Sequence, residues 1–182
     1  MGGVNEKLVA EVANHSRYTE KIVRWLNMSD PRKWSFQYSK IYMNETVIDS
    51  QTFSAYLDLN STTIRVPRDH LRLIMEYIMR YKECVKVDET PQSLFTCKCR
   101  NFYDCQFPRL KLYVRNEQGG GGFNLTLNSS QYIRYDYGKL RCVVMLEPDV
   151  SNQDQGAWRL GLTFIQSYLT LFDMEKARMG FV

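Results

Sequence analysis

The chain has 182 residues, is 44% hydrophobic and carries a formal net charge of +4, which suits one domain with a full core. Its Lys and Arg residues are scattered singly among Asp and Glu rather than gathered into a stripe, which argues against a nucleic-acid partner. No apolar run approaches the ~20 residues of a membrane span, and residues 1–6 lack the basic start and apolar core of a signal peptide.

In chain order, Glu6 to Ala13 offers a thin helical stripe of Leu8, Val9 and Val12. Period-two alternation then dominates, beginning with Phe53, Ala55, Leu57 and Leu59 on one face of a strand. A helix follows. Pro67 fits its first position, Asp69 suits its dipole, and Leu71, Ile74, Met75 and Ile78 form a stripe ending near Tyr81. His70 has no acidic or thiol partner at helical spacing, so a surface position is expected for it rather than catalysis. Residues 82–107 read as polar, Cys- and Pro-bearing loop. Leu110, Leu112 and Val114 form the next strand face, and Gly119 to Gly122 supply the positive φ values of a hairpin. A phosphate cradle is excluded there, because Phe123-Asn124-Leu125 continues as strand instead of opening a helix. Phe123, Leu125 and Leu127, then Ile133, Tyr135 and Tyr137, then Leu140, Cys142, Val144 and Leu146 complete the alternating runs. Residues 147–156 again read as loop. The fold class is therefore all-β with one or two short helices, and no linker or repeat divides the chain.

The five cysteines are Cys84, Cys97, Cys99, Cys105 and Cys142. They contain no Cys-x-x-Cys pair, and the two histidines, His15 and His70, are distant, so zinc is not expected. Asn14, Asn27, Asn44, Asn60, Asn124 and Asn128 each open an Asn-x-Ser/Thr acceptor, six of ten asparagines, where average composition gives roughly one or two. That excess points to the secretory pathway, where disulfides persist.

The last stretch, Trp158-Arg159-Leu160-Gly161 through Tyr168 and Phe172-Asp173 to Arg178-Met179-Gly180-Phe181, closely resembles the end of pepsin-like aspartic peptidases. In that family Trp-Ile-Leu-Gly precedes a helical turn, a Tyr-x-x-x-Phe-Asp strand and a terminal Arg-x-Gly-Phe strand. Upstream, Ala55-Tyr56-Leu57-Asp58-Leu59-Asn60-Ser61 with Pro67 nine positions after Asp58 is similar to the family's second catalytic loop. Met1 to Asn5, Arg17-Tyr18-Thr19 and Trp25-Leu26 resemble the segment at the lobe junction. The resemblance covers residues 1–182 as a single C-terminal lobe, with 1–33 as the junction segment and 34–182 as the lobe core. It is weakest at 5–16, 82–106 and 147–156.

This resemblance implies peptide-bond hydrolysis by two carboxylates sharing one proton, one activating water and the other donating to the scissile carbonyl. It implies a peptide substrate and no cofactor or metal. Asp58 is the candidate catalytic residue. The second Asp belongs, in the family, to an N-terminal lobe without a counterpart in these 182 residues, and Asp49-Ser50-Gln51 lacks the glycine. The loop departs from Asp-Thr-Gly. Leu59 has no hydroxyl to tie two loops together, Asn60 puts a side chain where glycine stands, and Ser61 keeps a hydroxyl that the family directs at the carboxylate. Arg159 replaces an apolar residue and Leu162 a frequent Asp. Cys142 matches the second partner of the family's C-lobe disulfide, with Cys99 or Cys97 as the first and Cys105 as an alternative. A bridge to Cys84 would leave one thiol spare. The expectation is a lobe inactive by itself, whose junction face is covered by a peptidase N-terminal lobe or another protein, in an extracellular or vacuolar/lysosomal setting. The alternative is a pseudopeptidase acting as a binding subunit.

Overall fold

A computed structural model describes residues 23–30, 32–87, 94–115, 121–150 and 156–182. The stripe at 6–13, the segments resembling the lobe junction at 1–5 and 17–19, and Asn14 lie outside them. Sixteen strands form four sheets among the described residues. The first pairs β1 (Arg24–Asn27) with β16 (Arg178–Phe181) and β15 (Thr170–Asp173). The second runs in the order β10 (Phe123–Leu127), β9 (Leu110–Val114), β3 (Lys40–Met43), β4 (Thr46–Asp49), and the third β11 (Ile133–Asp136), β12 (Arg141–Val144), β8 (Leu94–Lys98), β7 (Cys84–Val87). The fourth, in the order β13 (Leu146–Pro148), β6 (Ile64–Val66), β14 (Trp158–Leu160), β5 (Phe53–Leu57), β2 (Ser35–Tyr38), carries the candidate site.

The alternation explains which faces turn inward. Leu110, Leu112 and Val114 are buried, as are Phe123, Leu125 and Leu127 on the paired strand. Trp158, Tyr38, Tyr132, Phe36 and Phe164 are the largest fully buried side chains, and burial of each apolar side chain contributes about 1.5–3 kcal/mol. The helix α1 spans Arg68–Met79 and buries Leu71, Ile74, Met75 and Ile78, so the periodicity located its inner face. Pro67 stands one position earlier than expected, as the N-cap with ψ 142°, and its carbonyl accepts the first helical bond from Leu71 N at 3.0 Å. Two four-residue helices follow, α2 (Ser129–Tyr132) and α3 (Leu162–Ile165).

Several expectations are corrected. Residues 82–107 are not loop throughout: β7 and β8 pair Cys84 with Cys97 in register, and Phe102–Asp104 forms a 3₁₀ turn. Leu59 does not share the β5 face; the strand ends at Leu57 and Leu59 is 67% exposed. Leu140 is likewise outside its expected strand, in a turn at φ 50°, and Tyr137 is exposed beyond β11. Glu147 belongs to β13 and is buried rather than in a loop. For β7, β8 and Glu147 a sheet partner remote in sequence outweighs local polarity, whereas at Leu59, Tyr137 and Leu140 the strand is shorter than the apolar run.

Candidate catalytic loop

Three of the four neighbour pairs in the fourth sheet follow from one crossing. β14 runs between β5 and β6, parallel to the first and antiparallel to the second, while β13 runs parallel to β6 on its other side. The loop from Asp58 to Thr63, which joins β5 to β6, therefore passes over the end of β14. Gly161 makes the crossing close: a Cβ there would stand 2.1 Å from the Thr63 carbonyl oxygen and 2.5 Å from that of Ser61. Bonds fasten the loop to what passes beneath it. Asp58 N donates to Leu160 O at 3.0 Å, Leu162 N to Ser61 O at 2.8 Å, and Thr163 Oγ1 to Thr62 O at 2.6 Å.

Within this frame Asp58 is half-buried and its carboxylate closes a local turn, Oδ1 accepting from Asn60 N at 3.0 Å. Leu59 and Asn60 occupy the exposed tip. Ser61 is buried, but its hydroxyl donates to Thr63 O at 3.1 Å, so the bond to the carboxylate that the resemblance implies gives way to one inside the loop. Asp49, the other Asp-Ser, is engaged by His70, its Oδ2 lying 3.3 Å from the imidazole Nε2.

Behind the loop lies an ionic layer. Glu147 accepts from Arg65 Nε at 2.7 Å and from the Thr63 hydroxyl. Arg159 Nε meets Asp149 Oδ2 at 3.1 Å, with side chains 13% and 7% exposed, and the Arg159 guanidinium lies 5.6 Å over the Tyr56 ring. The hydrogen bond to Glu147 raises the Arg65 pKa above its ordinary value, against the opposing effect of burial, and attraction to Glu147, Asp58 and Asp149 adds to it. Sequence reasoning noted Arg159 as a departure but found neither ion pair, since the acidic partners fall in the stretch read as loop.

His70 is not a surface residue. It is 3% exposed, its Nδ1 accepts from Trp158 Nε1 at 2.8 Å, and its Nε2 lies 3.3 Å from Asp49 Oδ2. The Trp158 donor fixes the proton on Nε2, the tautomer that donates to Asp49. Its partners stand 21 and 88 positions away, so helical spacing held no signal of them. Burial lowers the His70 pKa below its ordinary 6.5, outweighing attraction to Asp49. Above about pH 6.5 both folded and unfolded forms are neutral and the full contribution is present; below it the unfolded state binds a proton that the folded state resists, so stability falls. Urea midpoints should hold level from pH 8 to 7 and decline as pH drops through the range below 6.5, by at most about 1.4 kcal/mol per pH unit from this proton. His70→Gln should flatten that segment of the profile, and an unchanged slope would exclude His70 as its source.

The cysteines divide into two groups. Cys84 and Cys97 are bridged across β7 and β8, which removes Cys97 as a partner for Cys142. Cys99, Cys105 and Cys142 form the second group, their sulfurs all within 4.8 Å of one another, so that Cys142 can bridge to Cys99 or to Cys105 but not to both. Two cavities, of about 640 Å³ beside Met79, Cys84 and Arg141 and about 590 Å³ beside Trp25, Tyr38 and Arg178, do not include the Asp58 loop.

The family profile "Eukaryotic aspartyl protease" matches residues 7–182, and the chain belongs to that family. A "Pregnancy-associated glycoprotein" of Equus caballus is 26% identical over 176 residues, covering 91% of this chain and 39% of the relative. A "Gastricsin" of Callithrix jacchus is 26% identical over 134 residues, covering 72% of this chain and 30% of the relative. The chain thus spans well under half the length of these curated relatives, as one lobe of a pepsin-like protein does. No described helix is long and apolar enough to cross a membrane.

Proposed function

We propose that this chain is the C-terminal lobe of a pepsin-like aspartic endopeptidase scaffold, that Asp58 occupies the position of one dyad carboxylate, and that the lobe alone does not hydrolyse peptides. The observation that carries this reading is the direction of the loop's polar groups. The Ser61 hydroxyl, which the resemblance directs at the carboxylate, donates instead to Thr63 O, and the Asp58 carboxylate is engaged by Asn60 N–H inside its own loop. A second carboxylate, carried in the family by the N-terminal lobe, is required in any case.

The junction face supports a protein partner. Trp34 O accepts from Leu57 N at 3.1 Å, and the Trp34 ring meets Phe172 edge-on at 4.5 Å, so the base of the Asp58 loop continues into the β15 edge of the first sheet. Phe172 and Met174 are 47% and 69% exposed there. An N-terminal peptidase lobe is the partner this reading favours. The exposed Leu59, an apolar side chain at the loop tip, favours the second reading of a pseudopeptidase that binds without cleaving. Secretory localisation fits either reading: Asn27, Asn44, Asn60, Asn124 and Asn128 are all exposed, and a glycan on Asn60 would cover the loop. The test is an acid-pH peptide cleavage assay on the native chain beside Asp58→Asn. Neither should cleave above background; cleavage by the native chain that vanishes in Asp58→Asn would overturn the reading.

A further inference from the structure

Cys99 follows β8, Cys105 follows the 3₁₀ turn Phe102–Asp104, and Cys142 lies within β12. Their sulfurs all lie within 4.8 Å of one another, with Cys105 Sγ 3.4 Å from Cys99 Sγ. The other two cysteines are bonded to each other. A sulfur forms one disulfide at a time, so three converging sulfurs make one bridge and one thiol beside it.

We infer that Cys99, Cys105 and Cys142 form a thiol–disulfide exchange centre in which Cys142 alternates between the other two, presenting a modifiable thiol at Cys105. In the step itself the Cys105 thiolate attacks Cys142 Sγ. The Cys105–Cys142 bond forms, the Cys99–Cys142 bond breaks, the electron pair leaves on Cys99 Sγ, and the proton given up by Cys105 ends on Cys99. One disulfide and one thiol stand on each side, so no oxidant or reductant is consumed. Proximity replaces a bimolecular encounter. The two arms differ in access: Cys99 is buried at 7% exposed, as is the shared Cys142 at 0%, whereas Cys105 is half-buried and the more accessible of the two. Lys82 Nζ binds the Asp104 carbonyl oxygen at 2.7 Å, which fastens the peptide just before Cys105. The chemical class that such a thiol takes is a soft electrophile or a low-mass disulfide.

The experiment uses the native chain without reductant, quenched in acid to freeze exchange, unfolded, labelled with a maleimide near pH 6 and mapped by peptide mass spectrometry. One label per chain is expected, divided between Cys99 and Cys105, with Cys84, Cys97 and Cys142 unlabelled. Prolonged labelling of the folded chain at pH 8 should instead gather the label on Cys105, because the more accessible arm drains the equilibrium. Cys99→Ser and Cys105→Ser should each show no thiol and keep a bridge from Cys142 to the remaining cysteine. Label confined to one cysteine at acid quench overturns the exchange. Three labels per chain, as a metal-held thiolate cluster would give, or none, as a disulfide-linked dimer would give, overturns it equally.

Discussion

Gly161→Ala should cost at least about 3 kcal/mol, the upper part of the range for forcing atoms into a filled interior, measured as a fall in the urea midpoint or in folded yield. Gly161 has φ −76° and ψ −168°, so alanine meets no backbone strain and the whole effect comes from space. The obstructing atoms are the carbonyl oxygens of Thr63 and Ser61, which belong to backbone and cannot swing aside like a side-chain end. Relief requires β14 to move out from beneath the loop. That would stretch the bonds from Asp58 N to Leu160 O and from Leu162 N to Ser61 O, so the loop should lose its fixed shape together with stability. Gly138→Ala is the control: its Cβ would meet only Asp136 Oδ1, at 3.3 Å, on an exposed turn, and the expected change is within about 0.5 kcal/mol. Equal midpoints for the two variants would mean that the close crossing does not hold the loop.

The contrast between these glycines marks how far the sequence reveals the fold. Local patterns carried the strand faces of 110–114 and 123–127 and the inner face of α1, because period and turn chemistry act over a few residues, whereas the Trp158 to Phe181 order came from the resemblance to pepsin-like peptidases. The position of Asp58 was legible through the motif around it, since the loop sits between a strand end and Pro67 at fixed spacing. What escaped was whatever depends on a partner far along the chain. His70 takes its neighbours from Asp49 and Trp158, and Glu147 takes its own from Thr63 and Arg65. No composition rule distinguishes these buried ionisable groups from surface ones, because the pairing that makes burial tolerable exists only after folding. The Ser61 hydroxyl shows the same limit at the site: its residue type was legible, its bond to Thr63 O was not.

Arg159→Leu restores the apolar type that pepsin-like peptidases resembling this chain carry before Leu-Gly, yet it should destabilise the lobe by about 3–5 kcal/mol. The Asp149 side chain is 7% exposed and meets Arg159 at 3.1 Å; without that guanidinium its charge stays in a low-dielectric setting with too little compensation, which costs more than leucine gains by burial. The stacking of Arg159 over Tyr56 is lost as well. Pairing the change with Asp149→Asn removes the stranded charge, and the double variant should recover most of the deficit, with a coupling of about 2–3 kcal/mol in a double-mutant cycle read from urea midpoints. Additive effects of the two substitutions would show that the pair does not act as a unit. The outcome bears on function through β14, which carries Arg159 and runs beneath the Asp58 loop. An ion pair that the lobe cannot lose singly ties that strand to the segment after β13, so reverting toward the family type requires both members to change together. A loop resting on such a layer is held by the scaffold's own charges, independently of any water or substrate at Asp58.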